Sequence, residues 1–133
     1  MSLDMRNIAL QLKAFVERVD GLGRRAHDSH EFDLLHQIEL LCQDVSMQFE
    51  RAEAGRSLEE SLECIQTARG MLAAEQRRFD LGDDYRELPV HWRQGLRQDL
   101  AALGARLTAR MQQIRELIKL RDEGVQQPKE GKC

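Results

Sequence analysis

The longest regular pattern of hydrophobic residues in the chain lies between His91 and Leu120. Its apolar residues recur at steps of three and four, which places them on one face of an α-helix. They are Trp92, Leu96, Leu100, Leu103, Leu107, Met111, Ile114 and Ile118. No proline interrupts the run, and Gly95 and Gly104 are its only weak helix formers. We therefore predict one helix of about 45 Å, at about 1.5 Å per residue, whose apolar face must be covered.

Three shorter segments before this run show the same spacing, and each predicts a helix. The first runs from about Leu3 to Asp20, where two nearby glycines mark its end because glycine costs about 1 kcal/mol in a helix interior. The second begins near Asp28 and ends at Gly55. The apolar positions of the three segments are, in chain order, Ile8, Leu12, Phe15, Val19 and Leu22; Phe32, Leu35, Ile38, Cys42, Val45 and Phe49; and Leu58, Leu62, Ile65, Leu72 and Phe79.

The boundaries of the last two helices carry their own local signals. Ser57 is followed three residues later by Glu60, which is the spacing of a capping box at the start of a helix. A polar loop is predicted over residues 80–88. Pro89 suits the first turn of the fourth helix because its missing N–H has no helical partner there.

Four amphipathic helices with short connections predict an all-α fold, the antiparallel up-down-up-down four-helix bundle with a long fourth helix. No connection is long enough to cross over the bundle. We expect residues 1–123 to form the bundle and the polar, unpatterned residues 124–133 to form a disordered tail.

The predicted fourth helix is longer than its companions by about 15 Å. If it begins beside the end of the third helix, the residues from about position 111 onward extend past the bundle, and we expect them to bind a partner. The expected partner-binding residues are Met111, Ile114, Leu117, Ile118 and Leu120. Burying one Leu or Ile is worth roughly 1.5–3 kcal/mol. Two segments could cover these residues: the chain's own first residues, or a helix from a second copy or from another protein.

Charge is unevenly distributed, although the net charge is only −3. Residues 28–63 hold ten acids and two bases, whereas residues 86–121 hold eight bases and three acids. This uneven distribution of charge is explained within the chain if the acidic helices pack beside the basic helix. The alternative is a basic face that binds nucleic acid through phosphate contacts. The bases that would carry this alternative are Arg93, Arg97, Arg106, Arg110, Arg115 and Lys119.

Signals for catalysis are weak throughout the sequence. Asp33 and His36 have the spacing of half a di-metal site, but the second acid-x-x-His is missing because Leu88 stands three residues before His91. The three cysteines are irregularly spaced and match neither a disulfide framework nor a zinc site. No glycine-rich phosphate loop follows a strand. We therefore expect no enzymatic activity, no cofactor and no bound metal.

The sequence shows neither a signal peptide nor a run of roughly 18 uncharged apolar residues. We expect a cytoplasmic protein that contacts no membrane. Its size, acid-rich middle and amphipathic helices are similar to those of small bacterial export chaperones as a class, although no motif identifies one. The expected function is that of a non-catalytic adaptor, chaperone-like or accessory protein acting through helix–helix contacts. The alternative is an oligomeric accessory protein whose basic fourth helix binds nucleic acid.

Overall fold

The structure is a computed structural model that describes the backbone of residues 3–131 and the side chains of residues 5–124. It contains four helices: α1 (Leu3–Arg24), α2 (Ser29–Ala54), α3 (Leu58–Leu81) and α4 (Val90–Gly131). Helix α1 packs against α2 and α4, and α3 packs against the same two helices. Each helix thus has two neighbours, and the predicted antiparallel four-helix bundle is confirmed.

Side chains fix the starts of α2 and α3. The Asp28 carboxylate accepts a hydrogen bond from the N–H of Glu31 at 2.8 Å, and the Ser57 hydroxyl accepts one from Glu60 at 3.1 Å. The Glu60 carboxylate in turn accepts from the N–H of Arg56 at 2.7 Å. These contacts satisfy N–H groups that have no partner inside the helix, so both predicted starts are confirmed.

Helix α1 does not end at Asp20 as predicted but continues through both glycines to Arg24. Leu22 packs against the core, and Arg24 forms an ion pair with Asp20 one turn earlier. Gly23 lies 3.8 Å from the Phe32 ring, measured from the position that a Cβ would take. Packing of the last turn therefore offsets the low helix propensity of the two glycines.

The interior of the bundle is built mostly from the predicted apolar faces. One prediction was wrong, since Phe32 is 50% exposed while the neighbouring Leu34 and Leu35 are buried. Residues two positions apart are separated by about 200° around a helix, so Phe32 and Leu34 cannot both point to the centre. In α3 the core position between Leu72 and Phe79 is held by a charged residue, Glu75, which is buried.

Two contacts between α3 and α4 show the register of the long helix. Arg97 contacts the end of α3, with its Nε 2.9 Å from the Asp80 carboxylate. Arg121 contacts the start of α3, with Nη1 3.1 Å from Glu59. Helix α3 therefore lies beside residues 97–121 of α4, and about two turns of α4, residues 90–96, extend beyond the end of α3.

This register corrects the predicted position of the overhang. Met111 and Ile114 are only 4% and 1% exposed, so the expectation that α4 leaves the bundle near residue 111 was wrong. From the sequence, the start of α4 was expected beside the end of α3. In the structure Arg97 lies at that level, so α4 is displaced by about two turns. Helix α4 continues to Gly131, past its predicted end, and the side chains of the predicted tail from 125 onward lie outside the described residues.

Candidate partner-binding surfaces

The end of α4 carries two exposed leucines. Leu117 is 44% exposed and Leu120 is 59% exposed, whereas Ile118 packs partly against the core. We call residues 115–124 the α4 tip. Of the five predicted partner-binding residues, only Leu117 and Leu120 lie together on the surface. Met111 and Ile114 belong to the core of the chain itself, and Ile118 lies at its edge.

The leucines of the α4 tip lie near the beginning of α1. Arg110 and Gln113 line a cleft with Asn7 and Ile8 near the start of α1. Leu117 follows Gln113 by four residues and therefore lies on the same side of α4, one turn further on. Of the chain's first residues, which the sequence left open as a local cover, Met5 is buried, and the side chains of residues 1–4 lie outside the described residues.

Four large apolar side chains on α1 and α2 are also about half exposed, which was not predicted. They are Leu10, Phe32, Leu40 and Met47. Between these helices lies a groove of about 350 Å³ whose lining includes Ala9, Val16 and Cys42. The spacing of Leu40 from the predicted core positions contained a signal for its exposure. Leu40 is two positions from both Ile38 and Cys42, about 200° around the helix from each, so it points away from the interior that they face.

The six predicted basic residues do not form one surface. Arg97 faces α3, and Arg115 lies on the same side of α4 because 18 residues make five turns. Arg106 and Arg110 instead line the cleft with α1. The positive charge of α4 is thus divided between two sides of the helix, and part of it is neutralised by Asp80.

The α1–α2 turn and the start of α4 meet at the opposite end of the bundle. The His27 ring stacks on Trp92 with centroids 6.2 Å apart, and the Arg25 guanidinium lies 5.8 Å from the Trp92 ring. His27 contacts the Glu31 carboxylate at 3.1 Å. In the described part of the chain, no three His, Cys, Asp or Glu side chains are grouped so that they could hold a metal ion. The stacking and cation–π contacts join the α1–α2 turn to the start of α4.

Three polar side chains fasten the loop before α4. Tyr85 is buried, stacks on Phe79 and donates a hydrogen bond from its hydroxyl to the Glu75 carboxylate. Arg78 donates to both Glu75 oxygens at 3.2 and 3.3 Å and to Asp84 at 2.9 Å. Burial, followed by the hydrogen bond to Glu75, raises the pKa of Tyr85 well above its usual value. The cluster satisfies a buried carboxylate that would otherwise be costly.

The Cys42 side chain is buried in the core, as predicted, whereas Cys64 is only partly buried. Burial raises the pKa of the Cys42 thiol to about 12, with smaller contributions from the charges of Glu39 and Glu75. The thiol is therefore protonated near neutral pH, and a thiolate nucleophile is not formed there.

No protein-family model, curated protein or solved structure shows significant similarity to this chain. Among the described residues, none of the helices combines the length and the apolar character that crossing a bilayer requires.

Proposed function

We propose that this chain is a non-catalytic adaptor or accessory protein that acts through helix–helix contacts, with the α4 tip as the contact surface. The observation that carries the proposal is the exposure of Leu117 and Leu120 where α4 passes the beginning of α1. Two large apolar side chains one turn apart form the kind of seam that a second helix covers.

We propose a second copy of the chain as the partner of the α4 tip, because the exposed pair of leucines on one tip can cover the same pair on another. If two tips pair antiparallel with Leu117 opposite Leu120, two-fold symmetry makes this contact twice. The apolar patch is small, so we expect a weak, concentration-dependent dimer.

The test is the molecular mass in solution, measured by light scattering over a range of concentrations. We expect the wild-type mass to rise from monomer to dimer, and the double variant Leu117→Glu/Leu120→Glu to stay monomeric. Helical circular dichroism should be unchanged, because both side chains are exposed. Ile118 is unsuited to this test because it packs partly against the core.

A matched control uses Leu81, which is 82% exposed at the other end of α3. Leu81→Glu removes an exposed leucine and adds the same charge elsewhere, so it should dimerise as the wild type does. A wild-type protein that stays monomeric at every concentration would overturn the proposed partner. Dimerisation that survives in the double variant would overturn the proposed surface.

Nucleic-acid binding by the six bases of α4 is the alternative function. We favour protein contact because these bases lie on two sides of the helix and Arg97 is engaged by Asp80. Retention on a heparin column with elution at moderate salt would support the alternative. Passage without retention would count against it.

A further inference from the structure

A cleft of about 210 Å³ lies between α1 and α4, halfway between the α4 tip and the centre of the bundle. Its polar lining consists of Arg106, Arg110, Gln113 and Asn7, and its apolar lining of Ile8 and Ala109. The two arginines are four residues apart on α4, so their side chains project from neighbouring turns on the same side. The cleft therefore brings two guanidinium groups to one opening.

The positive charge in this cleft is not balanced by the side chains that line it. No carboxylate is among its described lining residues. Asp99 lines the neighbouring cleft on the same seam, but it is engaged by Arg18 at 2.8 Å. Like charges four residues apart on a helix destabilise it by about 0.2–0.5 kcal/mol. The pair of arginines thus has a cost that the cleft's own side chains do not offset.

The hydrogen-bond donors in the cleft also exceed its acceptors. Arg110 Nε is buried and has no hydrogen-bond partner within the described structure. Its Nη1 donates to the Gln113 side-chain oxygen at 3.2 Å. This contact uses the oxygen of Gln113 and leaves its amide nitrogen as a donor. The Asn7 amide adds further donor capacity at the opposite wall.

We propose that this cleft binds a phosphate group. Two adjacent guanidiniums provide the planar, forked donors that bind phosphate oxygens in pairs. The amide nitrogens of Gln113 and Asn7 can donate to the remaining oxygens. Bound phosphate offsets the repulsion between the two arginines. The site is independent of the dimer contact proposed above, because it lies on the seam between α1 and α4 of one chain.

The test is a thermal unfolding series with inorganic phosphate as the probe and chloride at matched ionic strength as the reference. A ligand that binds only the folded state raises the unfolding temperature, and phosphate in large excess over its Kd should give a rise of roughly 5 °C. We expect Arg106→Gln/Arg110→Gln to lose this rise. Glutamine is a good helix former, so the variant should retain its helix content by circular dichroism.

The matched control is Arg69→Gln/Arg77→Gln, which removes two exposed charges from α3, outside both the cleft and the α4 tip. It should keep the full phosphate effect. If the double cleft variant fails to fold, Arg106→Gln alone serves, because Arg106 is exposed, and the phosphate effect should fall by at least half. An effect of phosphate no larger than that of chloride would overturn the proposal. So would a phosphate effect that the cleft variant retains.

Two sources of the phosphate group can be separated with a labelled single-stranded oligonucleotide. If nucleic acid is the source, inorganic phosphate and the oligonucleotide compete, and both lose binding in the cleft variant. If a small phosphate compound is the source, only inorganic phosphate depends on Arg106 and Arg110. Either pattern supports the site and assigns its ligand.

Discussion

Arg121 in the fourth helix forms a two-pronged ion pair with Glu59 in the first turn of the third helix, with Nη1 3.1 Å and Nη2 2.5 Å from the two carboxylate oxygens. The contact lies at the surface, and the hydrogen bond to Arg121 lowers the pKa of Glu59. It marks the level at which α3 begins beside α4. The residues of α4 that follow Arg121 do not have α3 as a neighbour.

Replacing Arg121 by Gln should change the free energy of unfolding very little. Both partners are exposed, and such pairs are weakened by solvent and salt. Urea unfolding of Arg121→Gln and Glu59→Gln measures the change, and the double variant shows whether the two residues are coupled. A large loss of unfolding free energy in either single variant would mean that the ion pair fixes the register of α3 and α4 and is not merely a consequence of it.

Ile114→Ala should destabilise the protein by about 2–5 kcal/mol, since it removes a fully buried side chain from the core. Leu117→Ala, one turn further on, should cost about 1 kcal/mol or less, because much of Leu117 already contacts water. Urea unfolding below the concentration of dimerisation checks both values. Equal losses for the two variants would contradict the difference in burial between Ile114 and Leu117.

Tyr85→Phe should destabilise the protein by about 1–3 kcal/mol, because the buried Glu75 carboxylate loses a donor and phenylalanine supplies none. Urea unfolding measures the loss. Tyr85 is the only tyrosine in the chain, so tyrosine absorbance reports this site alone. An unchanged stability would show that Arg78 alone satisfies Glu75.

Alkaline pH should weaken the fold through the same tyrosine. The pKa of Tyr85 is raised in the folded state, so this state holds its proton more tightly than the unfolded state does. Its contribution to stability is complete below the unfolded pKa of about 10 and is lost as the pH rises above it. Absorbance should therefore show tyrosinate appearing together with unfolding. Ionisation near pH 10 in a protein that remains helical would contradict the buried hydrogen bond.

Cys42 should resist alkylation while the protein is folded, and Cys64 should react faster. Burial raises the pKa of the Cys42 thiol to about 12, which keeps it protonated, and its side chain is closed to the reagent. Iodoacetamide labelling followed by peptide mass spectrometry separates the sites, and urea should release Cys42. Rapid labelling of Cys42 at neutral pH would show that the groove between α1 and α2 opens far enough for the reagent to reach this side chain.

The sequence by itself determined the number of helices, their antiparallel order and the starts of α2 and α3. These features depend on local physics: the spacing of apolar residues follows the helical repeat, and Asp28 and Ser57 cap N–H groups a few residues away. It also placed Leu117 and Leu120 correctly at the exposed end of α4. Their exposure follows from a helix that is longer than its neighbours, whatever the precise register.

Only the tertiary structure decided how the helices are displaced along one another. Periodicity fixes which face of a helix is buried, but a shift by whole turns leaves that face unchanged, so the buried state of Met111 and Ile114 was not accessible from spacing. The shift of α4 accompanies a loop in which Tyr85 and Leu88 are buried, with Tyr85 packed on Phe79 of α3. The position of Phe32 was also decided by the tertiary structure, because the neighbouring Leu34 and Leu35 occupy the interior and Phe32 points outward. Such choices depend on contacts between distant segments, and a local pattern contains no information about them.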